Sequence, residues 1–114
     1  MGVASIGVRL VADAFVEDAG EGFVYSWLVP DDGRRGWMLF TPAERLFREC
    51  DATGAVPEDG MEVCFALPED EAVRRHARWE GSREWRVMVT AAYGVWKKFQ
   101  EHGEPPQQAH RTFH

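Results

Sequence analysis

The sequence predicts an α+β domain: a mainly antiparallel four-stranded sheet with helices packed on one face, in the order β-β-β-α-β-α-α. Three observations predict it. Apolar residues alternate in short runs through the first forty positions, as strands require. Capping signals at Thr41 and Pro68 break that alternation. The stretch Ser82 to Gly103 then holds a helical period for about five turns.

The first strand is expected over residues 4–12, with Ile6, Val8, Leu10 and Ala12 on one side and Ser5, Gly7, Arg9 and Val11 on the other. Residues 13–22, with Asp13, Glu17, Asp18 and Glu21 around Phe15 and Val16, read as a polar loop. Phe23, Tyr25, Trp27 and Val29 alternate with Val24, Ser26 and Leu28, a second strand that is apolar on both faces. Pro30-Asp31-Asp32-Gly33 has the residue types of a turn, so Trp37 to Phe40 completes a hairpin. Thr41-Pro42-Ala43-Glu44 has the pattern of a capping box, and a short helix to about Cys50 is expected from it. A loop over 51–60 leads to a fourth strand over 61–67, with Val63, Phe65 and Leu67 on one face.

Pro68-Glu69-Asp70-Glu71 places acids at the positive end of a second helix that runs to Glu80. In the third helix Trp85, Met88, Val89, Ala92, Tyr93, Val95, Trp96 and Phe99 share one arc. Ser82 is its expected cap, and Gly103 with Pro105 and Pro106 its stop. A strand over 85–90 is the competing assignment, because Trp85, Val87 and Val89 also alternate. Residues 1–103 thus form one domain, and 104–114 read as a mobile tail.

A chain of 114 residues with 45% hydrophobic content supports one real core. No apolar run is long enough to span a membrane, and the start lacks the layout of a secretory signal. Two cysteines, Cys50 and Cys64, form no framework, so a reduced cytoplasmic setting is expected. The net charge of −6 is uneven: residues 1–71 hold 15 acids against 5 bases, and residues 72–114 hold 4 against 8.

Catalytic signatures are absent. No serine lies in G-x-S-x-G, and there is no phosphate loop, H-E-x-x-H or C-x-x-C. No catalytic residue, cofactor or metal site is assigned. The expected function is therefore that of a small acidic, non-enzymatic interaction module of inhibitor or immunity type, binding a basic surface of another protein. Its candidate contacts are Asp31, Asp32, Glu58 and Asp59 in the turns, Glu69, Asp70 and Glu71 at the second helix, and Trp27 and Trp37 as aromatic anchors.

Two alternatives stand beside it. One is a ligand-binding or enzymatic domain with an aromatic pocket between sheet and helices, lined by Tyr25, Trp27, Trp96 and His76. The other is nucleic-acid binding through Arg74, Arg75, Arg78, Arg83, Arg86, Lys97 and Lys98, with Trp79 for stacking. An isoelectric point near 5.2 and the lack of any Asn weigh against the latter. Homodimerisation is compatible with each reading, through the two-faced strand or the long helix.

Overall fold

The computed structural model describes residues 4–30, 33–58, 60–68 and 83–113. Among them are six strands and one α-helix: β1 (Ala4–Val16), β2 (Gly20–Val29), β3 (Arg34–Thr41), β4 (Leu46–Cys50), β5 (Glu62–Cys64), α1 (Arg83–His102) and β6 (Gln108–Phe113). All neighbours pair antiparallel in the spatial order β5-β4-β3-β2-β1-β6. The first five strands form a meander, and the last returns to the free edge of β1. The expected four-stranded sheet with several helices is therefore corrected to a six-stranded sheet with one described helix. Of the helix expected over 68–80, Pro68 is described and exposed, and residues 69–80 lie outside the described residues.

Each difference has a local cause. The capping-box residues make a single 3-10 turn, Pro42–Glu44, instead of a helix. Arg45 adopts a left-handed conformation (φ 53°), and its N–H donates to the Pro42 carbonyl, which closes the turn after one round. Thr41 Oγ1 meets Glu44 Oε1 and the Leu46 carbonyl, each at 3.3 Å, so its hydroxyl caps no backbone N–H. Leu46 and Phe47 then fall on opposite faces of β4 and both are buried. Phe47 stacks on its cross-strand neighbour Phe40 at 4.3 Å, a contact a helix over 41–50 would not provide.

The first strand is longer than expected because the acidic segment is not a loop. Residues 13–16 continue β1 against 20–23, and the chain reverses only at 17–19. A bulge between Leu10 and Ala12 shifts the side-chain phase. Ile6, Val8 and Leu10 face the helix, whereas Ala14 and Val16 join Val24, Leu39 and Cys50 on the opposite face. Ala12, paired with Val24, goes with this second set rather than with Leu10.

The supposed tail after Gly103 contains β6, in register with β1 from Ala4↔Phe113 to Arg9↔Gln108. The Tyr25 hydroxyl donates to the Pro106 carbonyl at 2.7 Å and pins the connection from α1 to β6. The strand expected over 61–67 shortens to Glu62–Cys64, and the strand expected over 37–40 extends to Arg34–Thr41.

The helix expected over Ser82 to Gly103 is present as Arg83–His102, but its buried face takes in Val87 and Ala91, which lie outside the expected apolar arc. Gly103 ends it with φ 75°, its N–H donating to the Phe99 carbonyl at 2.7 Å. Val87, Met88, Ala91, Ala92 and Val95 press into the sheet face formed by Ile6, Val8, Tyr25, Trp27, Met38, Phe40 and Phe47. Trp96 stacks on Phe65 at 4.9 Å and meets Phe40 edge-on. On the face turned away from α1, the loop after β4 brings Gly54 against Val24.

Candidate functional site

The residues nominated from sequence are scattered. Asp31, Asp32, Asp59, Glu69, Asp70 and Glu71 lie outside the described residues, as does His76 of the pocket alternative. Glu58 is exposed on the loop between β4 and β5. Trp27 is 6% exposed and belongs to the core, and Trp37 is half-buried against the smaller cluster of Val24, Leu39 and Cys50. The two tryptophans do share one recess, of about 470 Å³, which Glu49, Asp51 and Met61 also line.

Trp27 lies flat there because Gly36 faces it across the ladder. A Cβ at Gly36 would come within 2.1 Å of the indole ring. The indole Nε1 is buried and has no hydrogen-bond partner among the described residues. Tyr25 and Trp96, of the pocket alternative, fill the layer between sheet and helix. Burial, and secondarily the charge of Asp13, hold the Tyr25 phenol well above its ordinary value, so it stays neutral.

The recess also bears on the cysteines. Both are free and buried. Burial, then the charges of Asp51 and Glu49, push the Cys50 thiol up to about 12. It is a protonated, weakly nucleophilic group. Asp51 itself has a carboxyl held below its ordinary value. The Thr53 hydroxyl donates to it at 2.6 Å, and the Thr53 and Ala55 amides add to this. Asp51 thus organises the turn that follows β4.

The most exposed apolar side chain on the described surface is one that the sequence pattern assigned to a polar loop. Phe15 is 80% exposed near the tip of the β1–β2 hairpin, and Val11 at the bulge is 48% exposed. Phe15 pairs across the ribbon with Glu21, and Asp13, Glu17 and Asp18 surround the same turn. From Leu10 to Gly33 the chain contains no Lys or Arg. That base-free run was the available sequence signal. It was not decisive, because the hairpin that brings these acids around Phe15 was not foreseen.

A second charged surface lies toward the other end of the same ribbon. There a hollow of about 670 Å³ opens over Gly7, Arg9, Ser26 and Arg35. Lys98 of α1 and Gln108 of β6 also line it. Lys97 and Lys98 are exposed, as is Arg86, while Arg74, Arg75, Arg78 and Trp79 lie outside the described residues. No group of three or more His, Cys, Asp or Glu side chains that could hold a metal occurs among the described residues, and no helix there is long and apolar enough to cross a membrane.

Compared with protein-family models, curated proteins and solved structures, the chain matches none.

Proposed function

We propose that the chain is a non-enzymatic protein-interaction module of inhibitor or immunity type, which binds a basic surface of another protein. The observation that carries this reading is Phe15, an aromatic side chain 80% exposed at the end of an acidic hairpin. A large aromatic side chain exposed at a hairpin end supplies binding energy when a partner's apolar hole accepts it. Asp13, Glu17, Asp18 and Glu21 around it attract a basic partner, speed encounter and fix orientation. Asp31, Asp32, Glu58 and Asp59, the acids nominated from sequence, add to the chain's negative charge.

The test is an affinity pull-down from the source lysate at low and high salt, with mass-spectrometric identification and three baits. The wild-type chain is expected to retain a basic protein at low salt and release it at high salt. Phe15→Ser is expected to lose that protein at both salts. Glu17→Lys combined with Asp18→Lys is expected to lose it at low salt. Equal retention of the same protein by all three baits would overturn the assignment to the hairpin.

A further inference from the structure

The acidic hairpin leaves unexplained why a chain of net charge −6 keeps a concave surface lined by cations. That surface is built by the ladder. Arg9 of β1 pairs with Ser26 of β2, and one step along, Gly7 pairs with Leu28, which pairs in turn with Arg35 of β3. These residues share the sheet face turned away from α1. Strand spacing places the Arg9 and Arg35 backbones about 12 Å apart, with Ser26 and Leu28 between them. Arg9 and Arg35, both exposed, therefore flank Ser26 and Leu28 on that face.

The floor is open because Gly7 has no side chain, and a Cβ built there would meet nothing within 4 Å. Helix α1 packs on β6 and β1 from the other face, and the hollow is not confined to the far one: Val8 and Ala109 of the layer against α1 line it too, and Lys98 of α1 supplies a third cation. No carboxylate lines the hollow among the described residues. Nor does Arg9, Arg35 or Lys98 pair with an acid among the described ion pairs.

We propose that this hollow is a binding site for a small phosphorylated molecule, its phosphate held by Arg9, Arg35 and Lys98. Three cations around one concavity call for a ligand with more than one negative charge. A phosphate ester carries nearly two at neutral pH, a carboxylate only one. A guanidinium matches tetrahedral phosphate oxygens through parallel N–H donors. Ser26 and Gln108 add neutral hydrogen-bonding groups. At about 670 Å³ the hollow exceeds a lone phosphate and has the size of sites for small organic ligands. Leu28 on the floor gives the ligand's organic part an apolar contact.

The site is separate from Phe15 and its ring of acids, so the experiment needs no protein partner. The full-length, isotopically labelled chain is titrated with inorganic pyrophosphate, and in parallel with adenosine monophosphate, at matched ionic strength, while amide shifts are followed. Saturable shifts centred on Gly7, Arg9, Ser26 and Gln108 are expected, with a dissociation constant below about 1 mM. Arg9→Gln and Arg35→Gln are each expected to weaken binding by about tenfold or more. Lys98→Gln should weaken it less, and Phe15→Ser should leave it unchanged. All four substitutions are at exposed positions, so the thermal midpoint is expected to stay close to wild type.

Shifts that do not saturate by about 10 mM would overturn the proposal. So would equal affinity in the Arg9→Gln and Arg35→Gln variants, or equal shifts from acetate at the same ionic strength. A short oligothymidylate that binds far more tightly than either small probe, with affinity rising with length, would replace it with a nucleic-acid surface.

Discussion

Gly36 is the residue at which this core tolerates least change. The Trp27 indole occupies the space of the missing side chain, at 2.1 Å from where a Cβ would sit, and the obstacle is a rigid ring rather than a flexible chain end. Gly36→Ala is expected to destabilise the protein by about 2–3 kcal/mol, read as a lowered urea midpoint with unchanged slope. Tyr25→Phe removes the donor to the Pro106 carbonyl but keeps the packing, and a loss of about 1 kcal/mol is expected from the same measurement. Cys50 makes a prediction in pH. Its thiol is raised from the ordinary 9.0 to about 12 in the folded chain, so the unfolded state releases the proton first. The contribution is complete below pH 9 and is lost as pH rises toward 12, with a slope approaching about 1.4 kcal/mol per pH unit in between. Cys50→Ala is expected to flatten the fall in stability between pH 9 and 10, and an unaltered slope would show that other groups set it.

At the scale of the elements, the bulge in β1 decides which side chains enter which cluster. Deleting Val11 sets Leu10 and Ala12 side by side opposite Tyr25 and Val24, an unbroken ladder in which residues 4–10 and 12–16 keep their faces. The deletion is expected to keep a single cooperative unfolding transition by tryptophan fluorescence. The helix lies close to the sheet through Ala91 and Ala92, both fully buried. Ala92→Leu is expected to cost about 1–3 kcal/mol by overpacking. Helix α1 was legible in the sequence because its signal is local: an apolar arc, followed by a glycine stop, needs no knowledge of distant strands. The segment 41–50 was misread for the opposite reason. Its capping residues are real but are satisfied by one turn, and the pairing of Phe47 with Phe40 and Val63 across the sheet prevails over them. Strand β6 carries almost no local signal, since its partner lies at the other end of the chain. The candidate sites share that fate. Phe15 reads as a loop residue until 13–16 pair with 20–23, and Arg9 and Arg35 look unrelated until β2 brings them to one face.

At the scale of the whole molecule, the two charge signs among the described residues of the β1–β2 ribbon occupy different places. Acids crowd its turn, and Arg9 and Arg35 flank its other end. The overall bias between chain halves was readable from sequence, but this division was not, because Arg9 belongs to the acidic half and lies beside Lys98 of the basic one. The arrangement of the sheet has a further consequence, in time rather than in space. Strand β1 is made early and β6 late, and the two lie side by side with Ala4 opposite Phe113. While the chain emerges during synthesis, β1 therefore shows an unpaired edge until residues 108–113 are available, and closing that edge requires a long loop. Folding should wait on this last strand, and the nascent meander is the species in which edge-to-edge association with a second copy competes with completion of the sheet.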